Sequence, residues 1–495
     1  MSPASSCPEI VSPGPRGVRF ILFLTQNRRL VHDHMPIKLD SKSKIAYYLV
    51  SSGIPSEKAS PMDTLPNLEQ SPMQPNAKAA SPDLKATVVI VGGGAAGITV
   101  AAELRRHRPD LDVTLIDPST THSYQPGWTL VGAGVFSLAQ TMRKEEGLIP
   151  KGVTWLRTAV TAFDPDGRQI QLADGRRVGY RMLVVCPGLQ LDWDKVEGLK
   201  EALGRNGVCS NYSSDYAEYT WECLQTFRGG AALFTQPPMP IKCAGAPQKI
   251  MYLAADRWRI RRGRMQRPVE IEFCLAGDVL FGVPFFVPEL QRAIDRYGIG
   301  LRYKHTLKAV DGPAKTAVFS VTDADGGTHE VTKRFDMMHV TPPQSAPDFI
   351  KKSALASAAG WVEVDPSTLR HTRFGDVFAL GDAAGTTNAK TAAAVRLQAP
   401  VVVRNLLAVL DGREPSASYD GYGSCPLTTA YGKVILAEFS YGGKVTPSFP
   451  IDPRKPRRAN WLLKTQGLPF LYWNMMLRGS EFDIPHRERS FAGPA

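Results

Sequence analysis

The chain has 495 residues, 43% of them hydrophobic, which suits two or three packed units and excludes a disordered chain. Its net charge of +12 favours anionic partners such as acidic lipid, nucleic acid or an anionic substrate. The seven cysteines are odd in number and contain no C-x-x-C pair, which argues against a disulfide framework and a zinc site.

Residues 1–85 are rich in Pro, Ser and Lys without sustained periodicity, and read as a disordered extension or an upstream start, with Met35 and Met62 as alternatives. The apolar stretch Val18 to Leu24 is too short for a signal core. From Ala86 the pattern alternates. Ala86–Val91 reads as a buried strand, Gly97–Arg106 as a helix and Val113–Ile116 as a strand, a right-handed βαβ unit. Met182–Val185 reads as a further strand. Ala231–Thr235, Ile250–Arg259 and Ile271–Cys274 read as strand, helix and strand of a second α/β unit. Val377–Leu380 is a late strand, followed by a helix from about Lys390. No run of about 18 apolar residues marks a spanning helix.

Between the first strand and helix lie Gly92, Gly94 and Gly97 in G-x-G-x-x-G spacing. Gly92 permits the tight turn, Gly94 lets a pyrophosphate approach the backbone, and Gly97 lets helix pack on strand. Asp117 ends the next strand, where a carboxylate can bind a ribose. Downstream, the strand ending at Leu380 delivers Gly381 and Asp382 into a turn, where a carboxylate can accept a hydrogen bond from a ribityl hydroxyl. In the second unit the strand runs into Gln236-Pro237-Pro238-Met239-Pro240 instead of a glycine turn. Prolines remove donor N–H groups, so no NAD(P)H site is expected there and the electron donor is expected to be another molecule. Cys243 follows, just before a helix beginning near Pro247. A nearby lysine and a helix N-terminus favour its thiolate; the alternative is a buried core cysteine.

The glycine turn and the late Gly-Asp pair resemble the FAD-binding elements of the flavoprotein disulfide-reductase superfamily. Leu183–Gly188 is similar to its middle strand motif, departing at Cys186 and Pro187, and Cys186 is expected to be a small core residue. The stretches Lys242–Leu253, Tyr124–Gly134, His339–Pro343, Lys390–Val395, Ser424–Leu427 and Phe470–Gly479 resemble sulfide:quinone oxidoreductases of the mitochondrial and heterotrophic-bacterial type. The resemblance implies an α/β fold with two Rossmann-like dinucleotide-binding domains and a C-terminal amphipathic membrane-associating tail. The implied division is an FAD-binding domain over 86–205 and 346–410, a second Rossmann-like domain over 206–345, and a quinone- and membrane-associating region over 411–495.

It also implies a mechanism. Sulfide adds to an oxidised cysteine pair, one sulfur passes to an acceptor as sulfane sulfur, and two electrons reach a membrane quinone through FAD. Cys243 would be the flavin-proximal cysteine, Gln125 a cofactor contact, and Lys390 a cation stabilising the reduced flavin. The resemblance places the second redox cysteine directly after the late Gly-Asp pair, and Ala383 stands there. Either Cys274 or Cys425 substitutes, or Cys243 acts alone. The alternatives are a quinone-reducing flavoenzyme with a different donor, or a catalytically impaired FAD-binding homologue. Trp461–Leu463 and Leu468–Leu477, flanked by Arg454, Lys455, Arg457, Arg458, Lys464 and Arg478, suit a peripheral anchor on anionic lipid. The expected location is a bacterial inner membrane, or the mitochondrial one in a eukaryote. No metal and no nucleic acid are expected, since the basic cluster is interleaved with apolar bulk and no recognition motif appears.

Overall fold

The computed structural model describes residues 82–482, 484–489 and 491. The expected extension (but for its last residues), the alternative starts and Cys7 lie outside them.

The β-branched run at the start of the described chain forms β1 (Leu84–Val91), which feeds helix α1 (Ala95–His107) and then β2 (Val113–Ile116). β1 and β2 are parallel, and β3 (Val153–Leu156) extends them on one side. An antiparallel pair, β4 (Val160–Asp164) and β5 (Gln169–Leu172), leads into β6 (Arg177–Val185), which lies parallel to β1 on its other side. Both faces of β1 and β6 are covered, so their residues form near-continuous apolar runs rather than alternating ones.

The second unit is a five-stranded parallel sheet. It contains β7 (Val208–Cys209), β8 (Gly230–Gln236), β9 (Val269–Leu275), β10 (Gly300–Arg302) and β11 (Met337–His339), in spatial order β7-β11-β8-β9-β10. Helix α2 (Ala246–Ile260) covers it, with Tyr252 and Trp258 buried in its core. The chain then returns to the first sheet. β12 (Val377–Ala379) pairs in parallel with β6, so residues almost two hundred apart in sequence share one sheet.

Helix α3 (Ala392–Leu410) follows. By length and composition it could cross a membrane, which the sequence reading did not anticipate. It packs on α1, and its polar residues serve the fold: Gln398 Oε1 accepts from Gly381 N (2.9 Å), and Asn405 Nδ2 donates to the carbonyls of Thr368 and Ala417. It is a core helix.

A hairpin of β13 (Gly423–Ala430) and β14 (Lys433–Phe439) comes next, then two short helices, α4 (Arg458–Leu462) and α5 (Leu468–Asn474), joined by a π-helical turn. These helices are amphipathic, but less open than an anchor lying wholly on a surface. Leu462 (56% exposed) and Phe470 (54%) face outward, whereas Lys464, Tyr472, Met476 and Leu477 are buried. Arg454 and Lys464, expected among the surface cations, are both buried. Arg454 pairs with Asp452 at 3.0 Å.

Candidate active site

A cavity of about 510 Å³ runs from the glycine turn to the C-terminal helices. Its nucleotide end is built as the sequence spacing predicts. Gly92 holds φ +107°, and a Cβ there would meet the Cys186 carbonyl oxygen at 2.6 Å. A Cβ on Gly97 would lie 1.8 Å from the Gly92 carbonyl oxygen, so only glycine lets α1 approach β1 this closely. At Gly94 a Cβ would meet nothing within 4 Å; Gly94 caps α1 and lines the cavity. The expected functions of the three glycines therefore separate into two structural positions and one open cradle. A pyrophosphate fits that cradle, at the N-terminus of a 13-residue helix with no acidic residue in its first turn.

Asp117 follows β2 and lines the cavity. Its Oδ2 accepts from Gly93 N (2.6 Å) and its Oδ1 from Ser119 N (2.7 Å), so it also braces the turn. Buried Glu145 stands beside it, with Oε2 3.3 Å from His122 Nδ1 and Oε1 without a protein partner. An unpartnered buried acceptor at this end fits a ligand carrying hydroxyl donors, as a ribose does. Sequence reasoning missed Glu145 and His122, since neither lies in a motif.

At the far end, Asp382 lines the cavity from the turn after β12. Burial pushes its carboxyl above the ordinary range, against the nearby Lys390 and Lys242. Lys390 donates to the carbonyl oxygens of Asp382 (2.8 Å) and Ala384 (3.0 Å) and sits 4.1 Å from the Trp361 ring centroid. Burial pushes its amine down to about 8. Thr391 caps α3 by accepting from Ala394 N, and Thr391, Ala392 and Ala393 line the cavity, so the N-terminus of α3 opens onto it. A carboxyl, a cation and a helix N-terminus lie opposite the glycine cradle, and this donor set suits a flavin dinucleotide spanning the two ends.

The loop after β8 carries the thiol. Instead of a glycine turn it presents Lys242 and Cys243 to the cavity. Cys243 adopts φ +50°, an uncommon conformation for a side chain with a Cβ. Its N–H donates to the Lys390 carbonyl (2.9 Å), which fixes the loop against the late turn. Lys242 donates to Gln125 Oε1 and lies 5.3 Å from the Trp128 ring centroid; burial lowers its amine to about 8. Gln125 thus lines the cavity and holds a lysine.

Cys243 Sγ lies 3.7 Å from Cys425 Sγ. The hydrogen bond between the two sulfurs, with the charge of Lys249 at 3.0 Å, holds Cys243 well below the ordinary thiol range against the cost of burial. Cys425 is pushed up, first by the same bond and then by burial. Burial is the largest single influence on Lys249 and lowers its amine, but the charges of Cys243 and Cys425 and the hydrogen bond to Cys243 together outweigh it and hold Lys249 above the lysine range. Burial pushes Lys464, reaching in from the turn between α4 and α5, down to about 7, and Lys249 adds to the shift. The result is one stabilised thiolate, one protonated thiol and two buried amines.

Ala383 is fully buried, packs in the core beneath β6 and β12, and is absent from the cavity lining. Cys425 is also fully buried, but its sulfur is the one the fold brings to 3.7 Å from Cys243 Sγ. Cys274 lies in another core region, and burial pushes it up to about 12. Cys425 occupies the partner position. Cys186 is a buried core residue, as expected, with its thiol directed at the Gly92 carbonyl (3.8 Å). No cluster of potential metal ligands occurs among the described residues.

The family model described as pyridine nucleotide-disulphide oxidoreductase matches residues 86–214. The chain is 43% identical over 392 residues to the mitochondrial sulfide:quinone oxidoreductase of Mus musculus, covering 79% of this chain and 86% of that one. It is 41% identical over 425 residues to the mitochondrial enzyme of the same name from Dictyostelium discoideum, covering 85% and 92%. The solved structure of the sulfide:quinone oxidoreductase from the hyperthermophilic bacterium Aquifex aeolicus shares the fold, with TM-score 0.66 at 19% identity over 80% of this chain and 92% of that one. Both relatives above 40% identity are mitochondrial, so the expectation of a bacterial inner membrane finds no support in them.

Proposed function

This chain belongs to the sulfide:quinone oxidoreductase family, and from that premise we propose how its residues divide the work. The protein is an FAD-dependent oxidoreductase that takes two electrons from sulfide and gives them to a quinone. The observation that carries the reading is the sulfur pair Cys243–Cys425, 3.7 Å apart, with Cys243 lining the same cavity as the glycine cradle and Asp382.

In the oxidised enzyme the two sulfurs are joined, which needs a closure from 3.7 Å to the bond length of about 2.05 Å. Hydrosulfide attacks Cys425 Sγ; the S–S bond breaks, and Cys243 leaves as thiolate. The direction follows from the shifts, because the lower-pKa sulfur is the better leaving group. Lys249 stabilises the departing charge at 3.0 Å, and Lys464 adds to the positive field that draws in an anionic substrate. The persulfide on Cys425 passes its outer sulfur to an acceptor thiol or other sulfur nucleophile. Closure of the pair then releases two electrons. FAD, when bound, accepts those electrons and passes them to the quinone. Gly92, Gly94, Gly97 and Asp117 would hold its nucleotide half, and Gln125, Asp382 and Lys390 its ring end. Lys390, with the α3 N-terminus, favours negative charge there.

Phe449, Ile451, Leu462 and Phe470 form an exposed apolar rim near Lys455, Arg457 and Arg458. This composition suits insertion into an anionic leaflet, where a quinone is reached. The mitochondrial relatives favour the inner mitochondrial membrane. Anaerobic titration with sulfide, followed by flavin absorbance, should bleach the bound cofactor. Failure to bleach would refute the reading.

A further inference from the structure

The β13–β14 hairpin is a wall of the cavity with two unlike faces. In its antiparallel register Ser424 opposes Glu438 and Pro426 opposes Leu436, and all four line the cavity. The alternate residues Cys425, Leu427, Ile435 and Ala437 enter the core behind it. Around Glu438 the lining is apolar, with Leu436, Phe449, Leu463, Leu468 and Leu471.

Glu438 is only 3% exposed. Its Oε1 accepts from the Tyr422 hydroxyl (2.6 Å) and from Ser448 Oγ (2.5 Å), and its Oε2 from Ser448 N (3.1 Å). Ser448 immediately precedes Phe449, which is 39% exposed on the apolar rim. The other lining carboxylates lie elsewhere along the cavity: Asp117 and Glu145 beside the glycine turn, and Asp382 near the lysines of the late turn. Glu438 is therefore the acidic group at the apolar end of the cavity, directly behind the residue that marks its mouth.

We propose that Glu438 is the proton donor to the quinone, with Tyr422 and Ser448 as its positioning residues. The proposal rests on the quinone-reducing activity proposed above. A quinone becomes a quinol by taking two electrons, here those released from sulfide, and two protons. Glu438, which accepts all three of the hydrogen bonds from Tyr422 and Ser448, takes up a proton from solvent and passes it to a quinone oxygen; the carboxyl O–H bond breaks and the quinol O–H bond forms. The carboxylate regains a proton from solvent before the second oxygen is protonated. The return route lies beside Tyr422. Its ring lies 4.4 Å from that of His486 at a tilt of 46°, and His486 pairs at 2.8 Å with Asp420, whose side chain is exposed. Arg396, 5.6 Å from the Tyr422 ring, is the nearby cation on α3.

The test separates the two half-reactions in the Glu438→Gln holoenzyme, which keeps an acceptor for Tyr422 and Ser448. Anaerobic stopped-flow reduction by sulfide should remain within about twofold of wild type. Reoxidation by decylubiquinone at saturation should slow by about 100-fold, the range for loss of a general acid. The quinone concentration for half-saturation should change little, and the solvent deuterium isotope effect on reoxidation should be lost. Unchanged saturating reoxidation, or a loss confined to half-saturation, overturns the proposal. If Glu438→Gln does not fold, Tyr422→Phe is read in the same way; it should slow reoxidation alone, and equal slowing of both half-reactions overturns the proposal. Failure of sulfide to reduce the wild-type cofactor would instead refute the activity on which the proposal rests.

Discussion

Lys249→Gln removes the charge nearest the reactive sulfur while keeping a hydrogen-bond donor. Lys249 Nζ stands 3.0 Å from Cys243 Sγ, both inside the protein. At an effective dielectric constant of about 20, opposite unit charges at that separation attract by about 5 kcal/mol, a ceiling on the effect. Two features bring the net value below it. The hydrogen bond with Cys425 is the larger influence on Cys243 and survives the substitution. Lys464, relieved of the like charge of Lys249, also becomes easier to protonate and restores part of the field. The sulfur of Cys243 should therefore bind a proton about 10- to 100-fold more tightly, the low part of the range for a charge at this distance. Alkylation of the reduced holoenzyme by iodoacetamide, with peptide mapping, measures it. In wild type Cys243 should react fastest and retain its rate as pH falls below the ordinary thiol range. In Lys249→Gln the profile should move to higher pH by that factor, so that the rate begins to fall at a higher pH than in wild type. An unchanged pH profile would show that Lys249 is not what holds the thiolate.

Cys425→Ser should retain FAD but lose sulfide-dependent bleaching by at least about 1,000-fold, since no sulfur remains to receive the attack. Adding Ala383→Cys to it should not restore bleaching, because that side chain packs in the core; thermal denaturation should show a loss of about 1–3 kcal/mol from overpacking. Gly94→Ala should fold with unchanged apoprotein stability yet bind FAD poorly, whereas Gly97→Ala should fail to fold stably, since its Cβ would lie 1.8 Å from the Gly92 oxygen. Binding and melting assays separate the two. Burial, then the nearby Glu481, raises the Glu103 carboxyl to about 8. Its folded-state value lies above the unfolded one, so stability is greatest below about pH 4.5 and is lost as pH rises through about 8. Glu103→Gln should remove that slope and raise stability at pH 7 by about 2–3 kcal/mol, read from melting temperature against pH.

The glycine turn was legible because it depends on backbone chemistry: strand, glycine spacing and helix dictate the geometry locally. The strands and helices around it were legible for the same reason, with ends extended by a few residues, as in β6, where alternating polar residues hid the start at Arg177. Cys243 was legible through its loop. Its partner was not, because Cys425 is 182 residues away on a hairpin whose register only tertiary structure sets. Lys464 was misassigned for a related reason. In sequence it is one more cation beside apolar residues, and only the π-helical turn between α4 and α5 directs it inward to the thiols. Glu438 left no sequence signal, since a single acidic residue in an apolar strand does not reveal which face it takes.

The two-faced hairpin also separates incompatible reagents. Quinones are electrophiles that readily alkylate thiolates and persulfides, so an enzyme handling both risks inactivating itself. Here strand alternation puts the sulfur-bearing residue on one side of a single β-ribbon and the hydrophobic oxidant's pocket on the other. A persulfide formed on Cys425 would therefore begin one backbone thickness behind the cavity face that carries Glu438.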